Sequence, residues 1–130
     1  MNDNLHKAPT QNTPEIDFNT ETNRYIIKGK SIPEDANQFY TPYKDWLEKH
    51  FDKNVDESQF IFDLEYFNSS STKIIFDILI ILRESIKNGN EIKVIWKYDE
   101  DDEELYNSGN ELEEFIGIPI TLECKKTEDN

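Results

Sequence analysis

This sequence predicts one mixed α/β domain in the order β-β-α-β-α-β-α-β, with helices packed mainly on one face of the sheet. Three observations carry that prediction. Short segments alternate apolar and polar residues with a period of two. Between the later ones lie segments of helical period, long enough to be the crossovers that join parallel strands. The length, 130 residues, suits one domain that buries roughly two thirds of its surface on folding. Leu, Ile, Val and Phe number 34, about 26 % of the chain, above the roughly 20 % below which charged sequences stay disordered.

Residues 1–13 offer only Met1, Leu5 and Ala8 for burial and are expected to be a flexible N-terminal arm, with the domain over 14–124 and a flexible tail over 125–130. Ile16 and Phe18 alternate with polar neighbours and pair, as a hairpin, with Tyr25-Ile26-Ile27. Ser31-Ile32-Pro33-Glu34 resembles a helix start with Ser31 as cap. Pro42 should stop that helix near Tyr40, and a second is expected from Thr41, with Tyr43, Trp46, Leu47, His50 and Phe51 along one face. Phe60, Phe62, Leu64 and Tyr66 share one face of the next strand, Ile61, Asp63 and Glu65 the other. Ser69 to Thr72 then lead into a buried helix from about Lys73 to Lys87, stopped by Asn88-Gly89. Ile92, Val94, Trp96 and Tyr98 form a strand, Asp101 to Phe115 a polar helix ending near Gly117, and Ile118, Ile120, Leu122 and Cys124 the last strand, with Cys124 as a small core residue.

Charge narrows the function. Twenty-eight acidic against 14 basic residues leave a net charge of −14, which repels phosphate backbones and anionic lipid, so neither nucleic acid nor membrane is expected as a partner. The longest apolar run, Ile78 to Leu82, is far short of the roughly 18 residues a membrane span requires. One cysteine cannot form an internal disulfide, and the first 25 residues lack the apolar stretch of a signal peptide, so a cytoplasmic protein is expected.

No arrangement suited to catalysis emerges. Gly29, Gly89, Gly109 and Gly117 are too scattered for a phosphate-cradling loop. His6 lies in the arm and His50 on an apolar helix face, and no serine sits in a nucleophile elbow. Asp63 and Glu65 point the same way, but nothing near them would split their pKa values as acid/base work demands. The run Asp99-Glu100-Asp101-Asp102-Glu103-Glu104 fails as a calcium loop, since Glu104 stands where the glycine belongs and Asn110 where the bidentate glutamate belongs. No enzyme activity, metal or cofactor is therefore expected. Residues 99–114 do hold nine acids and no base. Such a run is a solvated helix start or, as an alternative function for the chain, a constitutive dock for a basic partner through Asp99–Glu104.

Asn68-Ser69-Ser70-Ser71-Thr72, between a strand and a buried helix, has a specific mechanism open to it. One hydroxyl suffices to cap a helix. A phosphate added here would meet free backbone N–H groups and the positive helix end, so it could be held without unfolding the domain while changing the surface that a partner meets. Spacing alone leaves Ser69, Ser70, Ser71 and Thr72 all open as acceptors.

The chain resembles the SiaC family of bacterial regulatory phosphoproteins, whose fold is similar to the STAS domains of anti-sigma-factor antagonists. The resemblance is carried by Thr13-Pro14-Glu15-Ile16-Asp17-Phe18, Gly29-Lys30-Ser31-Ile32-Pro33-Glu34, Phe39-Tyr40, Pro42 and Trp46-Leu47. It continues through Leu64-Glu65-Tyr66-Phe67-Asn68-Ser69-Ser70-Ser71, Trp96-Lys97-Tyr98-Asp99-Glu100-Asp101-Asp102-Glu103 and Gly109. It implies a non-catalytic, STAS-like domain phosphorylated at the turn, with Ser69 at the acceptor position. It also implies a kinase with a histidine-kinase-type ATPase fold, a PP2C-type phosphatase, and a diguanylate cyclase bound by the unmodified form, hence cyclic di-GMP signalling and surface-attached growth. Asn68, Ser70, Ser71, Tyr66, Glu65, Asp99, Asp101 and Asp102 are the expected partner-binding residues around it.

Overall fold

The computed structural model describes residues 4–125. Six strands, β1 (Leu5–Lys7), β2 (Glu15–Asn19), β3 (Arg24–Ser31), β4 (Ser58–Phe67), β5 (Ile92–Asp99) and β6 (Ile120–Lys125), form one sheet in sequence order. Strands β1 to β3 are antiparallel, and β3 to β6 run parallel. The parallel strands are joined by α1 (Ala36–Phe51), α2 (Ser69–Lys87) and α3 (Glu103–Ile116). A strand order that never reverses, combined with right-handed crossovers, puts every helix on the same face. The expected mixed sheet is present, with one strand more than the sequence predicts.

That strand comes from the expected arm. Leu5, His6 and Lys7 pair with Phe18, Asp17 and Ile16, because the edge of β2 offers unpaired backbone groups that even a short polar segment can satisfy. Residues 1–3 of the arm and the tail beyond 125 lie outside the described residues.

Helix α1 overrides its proline. One continuous helix spans Pro42, capped by Asp35, whose carboxylate accepts from Gln38 N at 3.1 Å. Ser31 is no cap; it is the last residue of β3. Ala36, Tyr40, Leu47 and Phe51 fall on one buried stripe running through the Pro42 turn, and the burial of that stripe offsets the backbone bond that proline removes. His50 packs as its apolar face suggests: its ring stacks on Trp46 with centroids 4.8 Å apart, and Nε2 lies 2.8 Å from the Tyr25 hydroxyl.

The helix-facing side of the sheet contributes Ile16, Phe18, Tyr25, Ile27, Phe60, Phe62, Leu64, Val94 and Trp96 to one core with α1 and α2. Ile61 and Ile95 are buried outside that core, on the opposite face. Cys124 is exposed rather than buried. Toward its end β4 carries a bulge: Gly29 pairs with Leu64 but Lys30 with Tyr66, so Glu65 is an extra residue. A bulge inverts the alternation that follows it. Phe67 consequently turns inward onto Trp96, with ring centroids 5.8 Å apart, and Tyr66, expected among the core-facing residues of β4, is 58 % exposed.

Candidate functional site

The serine turn forms the first turn of α2 rather than a lead-in to it. Asn68 is the cap, its side-chain oxygen accepting from Ser71 N at 3.0 Å. The helix therefore begins at Ser69, four residues before the Lys73 start expected from periodicity, because Asn68 rather than a serine supplies the capping oxygen. Thr72 N goes to the Asn68 carbonyl, while the Ser69 and Ser70 amides precede any helical acceptor. Ser69 and Ser70 are exposed, and the Ser70 hydroxyl leans back onto Asn68 Oδ1 at 3.0 Å.

Ser71 departs from its neighbours. It is fully buried and faces the end of β3. Its hydroxyl donates to the Ser31 carbonyl at 3.0 Å and lies 2.8 Å from Ser31 Oγ, which is itself 2.5 Å from the Tyr40 hydroxyl. Ser71, expected on the partner-binding surface, is therefore excluded from it in this fold, because the helical rise that turns Ser69 and Ser70 outward turns the third residue of the helix toward the sheet. Sequence reasoning missed Ser31 and Tyr40. Neither lies on a pattern that points to the turn, since their meeting with Ser71 spans 40 and 31 residues of chain.

Burial pushes the Tyr40 phenol up to about 12 from 10.0, against the opposing effect of its hydrogen bond with Ser31. The fold thus favours the neutral phenol, and its stabilisation is fully present below pH 10 and lost as pH rises toward 12. A phenol held this far up corresponds to roughly 2–3 kcal/mol. Wild type is expected to lose about that much stability between pH 10 and 12 in excess of Tyr40→Phe, measured by denaturant unfolding across that range. Parallel curves would show that Tyr40 ionises without cost to the fold.

A groove of about 420 Å³ opens beside the turn, lined by Glu65, Tyr66, Phe67, Asp102, Glu104, Leu105, Asn107, Ser108 and Glu111. Its lining combines four carboxylates with Phe67, Leu105 and the exposed Tyr66. Of the expected surface residues, the structure brings Glu65, Tyr66 and Asp102 together here, and Asn68 follows the lining residue Phe67 directly in the chain. Asp102 also caps α3, accepting from Leu105 N at 2.9 Å, and Glu103 and Glu104 occupy that helix's first turn. Part of the acidic run is thus used in helix initiation. Asp99, the last residue of β5, and Asp101, in the loop between β5 and α3, are both exposed.

Asp63 and Glu65, expected on one face of β4, meet different surroundings, with Glu65 exposed. Asp63 is 9 % exposed and holds Lys125 Nζ at 2.6 Å. Burial alone would lower the Lys125 pKa, but Asp63, Asp99 and Glu65 together hold it above the ordinary value. These carboxylates surround a cation. Among the described residues no cluster of His, Cys, Asp or Glu has the geometry to hold a metal ion, and no helix is long and apolar enough to cross a membrane.

A family model described as SiaC family regulatory phosphoprotein matches residues 7–124. The structure superposes on SiaC of Pseudomonas aeruginosa with a TM-score of 0.84 at 29 % identity, covering 94 % of this chain and 98 % of that one. It superposes equally on SiaC in a crystal structure of the diguanylate cyclase SiaD with its activator SiaC from Pseudomonas aeruginosa, with a TM-score of 0.83 at 27 % identity, covering 93 % and 99 % of the two chains. An uncharacterized protein of Pseudomonas aeruginosa strain UCBPP-PA14 is 28 % identical over 120 residues, 92 % of this chain and 95 % of that one.

Proposed function

The chain belongs to the SiaC family of regulatory phosphoproteins, and from that premise we propose that it is a non-catalytic signalling regulator in which phosphorylation of Ser69 switches the binding of a diguanylate cyclase. The observation that carries this reading is the placement of Ser69. Its hydroxyl is exposed on the first residue of a 19-residue helix, where the Ser69 and Ser70 amides precede any helical acceptor and the helix dipole favours an anion. A phosphate there is stabilised locally and needs no unfolding. Its charge of close to −2 would stand beside Tyr66 and the carboxylates of the groove, which alters that surface for any partner seated across it.

The cyclase reading draws on the solved complex of SiaD with its activator SiaC. On the reading proposed here, the unmodified form binds and activates the cyclase, a kinase with a histidine-kinase-type ATPase fold adds the phosphate, and a PP2C-type phosphatase removes it, all in the cytoplasm. Asn68, Ser70, Tyr66, Glu65, Asp99, Asp101 and Asp102 then border the docking surface. The test is the intact mass of the protein isolated from its native host in growing and in surface-attached cells, with fragmentation of the peptide around Asn68 to Lys73. One phosphate on Ser69 whose occupancy changes with growth state is expected. Ser69 without phosphate in every condition would leave it as a helix-start residue and put a constitutive acidic dock through Asp99–Glu104 in the switch's place.

A further inference from the structure

Beneath the turn, three buried hydroxyls have their protons fixed by elimination. Ser71 donates to the Ser31 carbonyl. Its oxygen can then only accept from Ser31 Oγ at 2.8 Å, and Ser31 Oγ, having donated, can only accept from Tyr40 at 2.5 Å. The chain Tyr40 to Ser31 to Ser71 to the Ser31 carbonyl therefore runs in one direction and ends on the backbone, with every donor used. The same carbonyl also accepts from Asn68 N at 3.1 Å. Ser31 thus holds the turn at two points, the amide of the cap and the side chain three residues later, and Tyr40 of α1 holds Ser31. All three residues are at most 1 % exposed, so no water competes for these bonds, and a buried group left unpaired here is costly.

We infer that Ser31, Tyr40 and Ser71 are positioning residues for the modification of Ser69: the hydroxyl chain sets the rotation of α2's first turn, and so decides that Ser69 rather than Ser70 is presented. The two candidate hydroxyls are adjacent, about 100° apart around the helix axis. Both are exposed, so exposure does not choose between them. The angle at which the turn leaves β4 does choose, and the hydrogen bonds that tie Asn68 and Ser71 to the end of β3, and through it to Tyr40 of α1, pass through Ser31. Ser70 is in addition drawn onto Asn68 Oδ1, which holds its hydroxyl against the cap while the turn keeps this setting. This inference rests on Ser69 being the acceptor.

The experiment places Tyr40→Phe and, separately, Ser71→Ala in the full chain in its native host and measures the ratio of phosphate on Ser69 to phosphate on Ser70 by fragmentation mass spectrometry. Thermal melts confirm folding, and amide exchange over 68–72 is compared with the start of α3 as an internal control. Tyr40→Phe removes one link and Ser71→Ala two. The Ser69 to Ser70 ratio is expected to fall at least about threefold in the first and further in the second, with exchange rising over 68–72 and not at α3. A purely structural role would lower the melting temperature without moving the ratio. Wild-type protein lacking phosphate at Ser69 overturns the acceptor reading and this inference together. Wild type phosphorylated at Ser69, with an unchanged ratio in folded Tyr40→Phe and folded Ser71→Ala, overturns the positioning role alone.

Discussion

Ser69→Asp is expected to weaken binding of the host's diguanylate cyclase at least about tenfold while leaving the melting temperature unchanged or slightly raised. The two effects part because they arise on different sides of the same residue. Within the fold, a carboxylate at the first position of α2 meets free amides and the positive helix end, a contribution of roughly 0.3–1 kcal/mol toward stability. Across an interface, the same charge must be desolvated beside Glu65 and the groove's other acids. A tenfold loss corresponds to only about 1.4 kcal/mol, less than a poorly compensated charge at an interface commonly costs. Ser69→Ala, which adds no charge, should bind like wild type. Calorimetric titration against the cyclase, paired with thermal melts, reads both quantities. If Ser69→Asp and Ser69→Ala both lose stability and bind alike, the residue is a structural one and the switch lies elsewhere.

Gly109→Ala should destabilise the domain by about 2 kcal/mol and lower the melting temperature by roughly 8 °C. Gly109 lies on the buried side of α3, and a Cβ placed there would come within 2.6 Å of both Leu122 Cδ2 and Trp96 Cδ1. Leu122 can rotate away at an edge strand. Trp96 cannot, because it is 1 % exposed and its indole N–H is held by the Leu105 carbonyl at 2.9 Å. Alanine is a better helix former than glycine by about 1 kcal/mol, so the clash must exceed that gain for the net effect to be a loss. Since α3 and its cap Asp102 supply Glu104, Glu111 and the Asp102 carboxylate to the groove, the variant is expected to weaken binding of the proposed cyclase partner as well. Denaturant unfolding measures the first effect; a melting temperature at or above wild type would mean that α3 moves off the sheet without penalty.

Where local chemistry was unambiguous, it was legible in the chain. Asn88-Gly89 ends α2 and Gly117 ends α3, the latter in the left-handed conformation at φ 79°, since only a glycine takes that conformation without strain. The alternation of Ile92, Val94, Trp96 and Tyr98 marks one face of β5. The serine turn was legible too, as a cluster of hydroxyls at a strand-to-helix junction. Misplaced features were those that one distant contact decides. Pro42 is a helix breaker by its own chemistry, yet α1 runs through it because the stripe from Ala36 to Phe51 is buried against the sheet. Leu5–Lys7 has no strand signal of its own and becomes a strand because β2 has a free edge.

The sequence by itself determined the fold class, the acidic character of the chain, and the place where a cluster of hydroxyls meets the start of a helix. All of these depend on composition, on period, or on residues within a few positions of one another. Only the tertiary structure decided which hydroxyls of the turn face solvent. Ser71 is taken out of reach by Ser31 and Tyr40, and Tyr66 is turned outward by one extra residue in β4. The physical reason is that a side chain's exposure depends on what the opposite wall of the fold offers it, and at this turn that wall is built from residues 31 and 40, a strand and a helix away.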